Sequence, residues 1–349
     1  MKFVFFGGNS QVAVETAAHL QRMGHSVLLY GRCSYPKQTL LALGLSYLQE
    51  PEMGEPLKNA LAEADLAADF AFPAGEPWES VPQASARVER YLAHLPEHAR
   101  FAAMSSISAY GMASKDCRLH WHRWPLTAYA AGKRQLEANA TSLARRYARK
   151  LVAFRLGQVH GVLQSASQAF RVELAKPQPQ INGLAAGASA TVFADGVASA
   201  LAFYAAGHLA PGIYPLLDQP QWPLSTLIDF YGQLAGSQNM HRVSYHDPEP
   251  PKLMAGLRSK AIDILKAHRG RIEPILFRAP ALARFVKTRY RKIEAAAHFN
   301  GQSHPPMTCH YGDLARVLPL YQTPSCSQTL ENWRWFEQHW LEKIEAQLR

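Results

Sequence analysis

The sequence predicts an α/β protein, a doubly wound parallel sheet with a smaller, mainly helical C-terminal part. Three observations predict it. Short apolar runs alternate with helical patterns from the first residues onward. Two glycines, Gly7 and Gly8, end the first apolar run just before a helical pattern begins. Strand, glycine turn, helix and second strand then fit within about 30 residues, the length of a βαβ unit.

Taken in order, Lys2 to Phe6 is apolar after its lysine, as in a strand buried on both faces. After the glycines, Val12, Val14, Ala17, Ala18 and Leu20 follow helical spacing, and Gly24-His25 stops the helix. Val27 to Tyr30 is the second strand, Leu66 to Phe72 a further one, and Ala84 to Leu95 a helix ending before Pro96. Arg100 to Ser105 reads as a strand, Leu126 to Arg149 as a long alanine-rich helix, and Leu151 to Leu156 as the next strand. This alternation is the Rossmann-type pattern. After Gly161 the rhythm loosens: Ala190 to Ala194 reads as a strand, Asp195 to Ala206 as a helix and Gly212 to Leu216 as a short strand. The remainder is mainly helical and rich in Pro, Arg and Trp. The expected organisation is a dinucleotide-binding domain over 1–160, with 190–217 returning to it, and a substrate-binding part over 161–189 and 218–349.

With 349 residues, 48% of them hydrophobic, the chain is long enough for a large buried core. No apolar run approaches the roughly 20 residues of a membrane span. Met1-Lys2 leads directly into a strand and glycines, unlike a signal peptide. Cys33, Cys117, Cys309 and Cys326 are scattered with no metal-like spacing. They read as free thiols of a reducing compartment, so a cytoplasmic location is expected. The net charge of +10 resides in 252–292, where twelve Lys and Arg face only Asp263 and Glu273. A general nucleic-acid-binding role is therefore not implied.

A pyrophosphate needs a tight turn feeding a helix N-terminus, where backbone N–H groups and the helix dipole favour an anion. Gly7, Ser10 and Ala13 occupy the spacing of such a turn, and a left-handed backbone at Ser10 would be strained. Alone, this reads equally as an ordinary strand-to-helix turn. At the end of the second strand an NAD enzyme usually places Asp or Glu, whereas this chain has Tyr30-Gly31-Arg32. Arg32 is suited to a 2′-phosphate, so NADP is expected over NAD. Tyr129 and Lys133, four residues apart, share one helix face. An adjacent ammonium would lower the phenol's pKa by roughly 1–3 units. On spacing alone a helix-surface pair remains the commoner reading.

The surrounding sequence resembles the extended short-chain dehydrogenase/reductase family, also called the NAD-dependent epimerase/dehydratase family, over about residues 1–217. Gly7-Gly8-Asn9-Ser10-Gln11-Val12-Ala13 resembles its phosphate loop, and Gly24-His25-Ser26-Val27 the entry to its second strand. Ser105-Ser106-Ile107-Ser108-Ala109-Tyr110-Gly111 resembles its serine strand, Tyr129 and Lys133 its catalytic pair, and Glu137 the acid that often follows. Arg155-Leu156-Gly157-Gln158-Val159-His160-Gly161 and Val192-Phe193-Ala194-Asp195 resemble later segments. The resemblance implies Tyr129 as general acid or base, Lys133 as its tuner and holder of the nicotinamide ribose, and Ser106 as the residue orienting the reacting oxygen. It further implies a cofactor site of Gly7, Asn9, Ser10, Gln11, Val12, Arg32 and Phe72 together with Tyr129 and Lys133.

Relatives acting on nucleotide sugars often carry Asn where this chain has Gln158, and a basic residue where it has Gly187-Ala188-Ser189-Ala190-Thr191. His120-Trp121-His122-Arg123-Trp124 reads equally as an aromatic wall of the substrate site or a packed surface loop. Two histidines without a third ligand imply no metal site. Leu282, Phe285, Val286, Tyr290 and Ile293 make 281–293 a cationic amphipathic helix. It reads either as a core-packing helix with a solvated basic face or as a dock for an anionic or carrier-bound small-molecule substrate. The resulting expectation is an NADP-dependent oxidoreductase interconverting a carbonyl and a secondary alcohol. The alternatives are a nucleotide-sugar epimerase/dehydratase with transient oxidation and a non-catalytic dinucleotide-binding sensor. By analogy with the family a homodimer is expected.

Overall fold

A computed structural model of the chain describes residues 1–31, 40–41, 44–49, 53–72, 77–110, 128–182, 185–186, 189–218, 222–235, 243–246 and 324–348. The strands are β1 (Lys2–Phe6), β2 (Ser26–Gly31), β3 (Ser46–Gln49), β4 (Leu66–Asp69), β5 (Arg100–Ser106), β6 (Lys150–Leu156) and β10 (Gly212–Leu216). They form one seven-stranded sheet in the order β10-β6-β5-β4-β1-β2-β3. Every pairing in it is parallel. Two short parallel pairs stand outside it: β7 (Gln158–His160) with β9 (Thr191–Phe193), and β8 (Gln180–Asn182) with β11 (Ser244–His246).

The helices are α1 (Gln11–Arg22), α2 (Glu55–Ala62), α3 (Pro77–His94), α4 (Ala128–Arg146), α5 (Ser165–Leu174), α6 (Ala194–Ala205), α7 (Leu224–Ala235) and α8 (Cys326–Leu348). Side chains of β1 alternate between two cores, as the period of a strand requires. Phe3 and Phe5 join Ala13, Ala17, Leu20, Val197, Leu201 and Phe336 from α1, α6 and α8. Val4 and Phe6 join Leu57, Val88, Leu92, Ala140 and Ala144 from α2, α3 and α4. Helices on both faces explain why the strands are apolar throughout. A third cluster gathers Phe193, Trp222, Phe230, Tyr231 and Trp333 around β9, α7 and α8.

Several elements differ from the sequence expectation. The strand expected to reach Phe72 ends at Asp69, which turns back to accept a hydrogen bond from the Ala71 amide at 2.9 Å. The helix expected from Ala84 starts at Pro77 and carries Pro82 within it. The long helix ends at Arg146 rather than Arg149, and Ala148 beyond it is left-handed at φ +53°. Strand β3 and the β8–β11 pair were not expected, because three- and four-residue strands carry little periodicity; helix α2, eight residues with a proline in its first turn, was not expected either. The basic segment 252–292, Arg32 and the loop 120–124 lie outside the described residues. No helix among the described residues is long and apolar enough to cross a membrane.

Candidate active site

Strand order reverses between β1 and β4, and in open parallel sheets a crevice forms at such a switch, beyond the C-terminal ends of the strands. The sequence-expected residues stand at these ends. Gly7 follows β1, Phe72 follows β4, and Ser106 closes β5. Gly7 carries the left-handed backbone of the turn, at φ +71°. A Cβ there would lie 2.6 Å from the Ala71 amide nitrogen, so a side chain would also collide with the segment leading to Phe72. Ser10 sits at φ −74°, ψ 143°, free of the strain that a left-handed turn would have imposed on it. It caps α1 instead, its hydroxyl accepting from the Ala13 amide at 3.2 Å. Asn9 and Gln11 are exposed beside it, and Val12 packs partly into the core. The turn and the α1 N-terminus thus fit a pyrophosphate group.

At the other end of the crevice Ser106, Tyr129 and Lys133 come together. The Ser106 hydroxyl accepts from the Ser108 amide at 3.2 Å and from the Ser108 hydroxyl at 3.0 Å. A hydroxyl has two acceptor lone pairs and one proton, so its proton is left for the Tyr129 oxygen, with which it is hydrogen-bonded. Tyr129 is 42% exposed while Lys133 is buried. Lys133 Nζ donates to the Met104 carbonyl at 2.8 Å and lies 5.8 Å from the Tyr129 ring centroid.

These positions correct one expectation. The Tyr129 pKa is raised rather than lowered: burial disfavours the phenolate, and the Ser106 hydrogen bond opposes this only in part. The ammonium is anchored to a strand carbonyl and does not offset the burial. Lys133 itself is pushed down to about 8 by burial, against the pull of Asp69 and Glu137.

Under the pair lies a charged layer that the sequence reading largely missed. Glu137 accepts from Arg155 Nε at 2.9 Å and Nη2 at 2.6 Å, and also from the Ser105 hydroxyl. Asp69 is buried 3.5 Å from the Arg87 guanidinium, and burial pushes its carboxyl up. Its signal was an acid closing the otherwise apolar run Leu66-Ala67-Ala68. Phe72, expected near the cofactor, meets the Tyr129 ring at 4.8 Å and a 54° tilt, with the Lys133 ammonium 4.7 Å over its ring.

Among the described residues no group of His, Cys, Asp and Glu could hold a metal ion. Comparison of the sequence with protein-family models gives no match, and comparison with curated proteins gives none either. Comparison of the fold with solved structures does give matches. One is a UDP-N-acetylglucosamine 4-epimerase from Bacillus cereus, 14% identical with a TM-score of 0.55, over 71% of this chain and 88% of that one. Another is the Thermus thermophilus UDP-glucose 4-epimerase in complex with NAD, 17% identical with a TM-score of 0.52, over 75% and 93%. A third is the Bacillus anthracis dTDP-glucose 4,6-dehydratase in complex with NAD, 13% identical with a TM-score of 0.52, over 71% and 84%. With its parallel sheet order and glycine turn, the chain has the Rossmann-type fold seen in these nucleotide-sugar epimerase and dehydratase structures.

Proposed function

We propose that the chain is an NAD(P)-dependent enzyme that interconverts a secondary alcohol and a carbonyl, with Tyr129 as the acid/base. The observation that carries this reading is the convergence of Ser106, Tyr129 and Lys133 at the strand ends beside the glycine turn. The dinucleotide supplies or accepts the hydride; the chain's residues position and move the proton. The raised pKa keeps the phenol protonated near neutral pH, the form that gives its proton to a developing alkoxide in the reduction half of the reaction. In an oxidation half the same oxygen accepts the alcohol proton only after giving up its own, while Ser106 orients the reacting oxygen.

Similarity to nucleotide-sugar epimerases and dehydratases favours transient oxidation, with the cofactor regenerated in each turnover, over net oxidoreduction. The missing basic residue at 187–191 favours the second reading, a net reductase acting on another substrate. NADP is proposed over NAD. Tyr30 is buried in the core, and a Cβ at Gly31 would overlap the Tyr47 hydroxyl, so neither position offers a carboxylate to repel a 2′-phosphate. Arg32 follows directly in sequence. On this reading 1–160 with 190–217 hold the dinucleotide, 161–189 and 218–349 the substrate, and 252–292 an anionic group on it.

The test is incubation with UDP- and dTDP-sugars and with NAD and NADP, following both sugar products and reduced nicotinamide. Product formed without net change of nicotinamide is expected. Stoichiometric consumption of NADPH would move the assignment to a reductase. Uptake of neither dinucleotide would reject both, and better use of NAD would reject the NADP preference.

A further inference from the structure

We propose that Phe72 is a displaceable cover over Lys133, seated so that a bound dinucleotide must move its ring aside. The inference rests on the function proposed above for its ligand, but not for the cover itself. Phe72 is 42% exposed and lies just beyond β4, at the open end of the crevice. Its ring meets Tyr129 at 4.8 Å and a tilt of 54°, and the Lys133 ammonium stands 4.7 Å over its centroid. Lys133 is only 7% exposed although Tyr129, one turn earlier on α4, is 42% exposed. Both the Phe72 ring and the Met104 carbonyl stand against the ammonium.

The cover is held weakly enough to move. A cation–π contact and a tilted aromatic pair are each weak contacts. Charge-assisted hydrogen bonds donated by the Lys133 ammonium to ribose hydroxyl oxygens are stronger than either contact and offset their loss. The glycine turn lies against Ala71, the residue before Phe72, so a ligand settling on the turn also presses on the cover's base. Phe72 is thus a positioning residue: it acts through Lys133 and Tyr129 and keeps water from the amine until a ligand arrives.

Acetylation of the full chain with acetic anhydride near pH ~8, where burial leaves a share of Lys133 as free amine, reads the cover directly. Rates are taken lysine by lysine from peptide mass spectrometry, with exposed Lys150 and Lys176 as internal references. Phe72→Ala should raise the Lys133 rate about tenfold while the references stay constant, and Phe72→Leu, which keeps bulk, should stay within about twofold of the parent. An unchanged Lys133 rate in Phe72→Ala overturns the proposal. If Phe72→Ala fails to fold, fluorine NMR of the parent chain carrying 4-fluorophenylalanine decides. The Phe72 signal, identified by its loss in Phe72→Leu, should shift when NADPH or NADH saturates the protein. A Phe72 signal unmoved by a bound dinucleotide also overturns the cover. Failure of both dinucleotides to bind rejects the proposed function and leaves acetylation to judge Phe72.

Discussion

At Tyr129 burial and hydrogen bonding pull in opposite directions, and burial wins. Desolvation raises the phenol's pKa, and the Ser106 proton recovers only part of the difference. A neutral phenol is the form that donates in carbonyl reduction; alcohol oxidation draws on the phenolate that such a donation leaves. Tyr129→Phe keeps the ring that packs against Phe72 and removes only the oxygen. Its kcat should fall by about 10²–10⁴ while dinucleotide affinity, read by fluorescence titration, stays near the parent's. A fall in affinity with kcat intact would assign Tyr129 to binding alone.

At the scale of elements, the site depends on how α4 is fastened to the sheet. Glu137, two turns below Tyr129, ties that helix to β5 through Ser105 and to β6 through Arg155. Both charges are buried, Glu137 at 2% and Arg155 at 5% exposure, so removing one leaves the other desolvated without its counter-charge. Glu137→Ala should therefore cost about 3–5 kcal/mol in urea unfolding, whereas an exposed pair such as Arg22 with Glu331 contributes about 1 kcal/mol or less. A loss below ~1 kcal/mol for Glu137→Ala would show that α4 is held by packing alone. Helix α8 fastens the opposite face: Asn332 donates to Asp195 at 2.7 Å and accepts from Arg22 at 2.8 Å, while Phe336 is fully buried. Residues near the C-terminus thereby brace α1, whose N-terminus meets the glycine turn.

For the whole molecule, buried histidines and carboxyls set the pH dependence of stability with opposite signs. Burial pushes His160 down to about 3 and His19 to about 4. In the unfolded chain each titrates near ~6.5. Below that pH the unfolded chain binds protons that the folded chain refuses. The stability these histidines contribute is therefore complete above ~6.5 and is lost as pH falls toward their folded values. Glu15, raised to about 7, runs the other way: its contribution is present below the ordinary carboxylate range and is lost as pH rises to about 7. Asp218, raised well above its ordinary value by burial, has the same sign as Glu15. The histidine contribution is best isolated by a variant. The cost of His160→Gln, which loses the 2.5 Å bond between Nδ1 and the Tyr231 hydroxyl, should shrink by about 1.4 kcal/mol per pH unit below ~6.5. Urea unfolding of parent and variant from pH ~7.5 to ~4.5 measures it; a pH-independent difference would mean that His160 is protonated alike in both states.

The sequence by itself determined the parallel sheet and the glycine turn, which depend on local periodicity and short spacings that every residue in a run reports. Ser106, Tyr129 and Lys133 were marked out as a site only by the family resemblance, since spacing alone favoured a helix-surface pair. The sequence did not reveal β3 or the β8–β11 pair, whose three or four residues are too few to show a period. Only the tertiary structure decided the protonation of Tyr129, the anchoring of Lys133 on Met104, the cover at Phe72 and the buried charges at Asp69 and Glu15. A pKa depends on how much water reaches a group and what stands opposite it. Segments distant in the chain supply both, Phe72 over Lys133 across 61 positions and Val162 against Glu15 across 147.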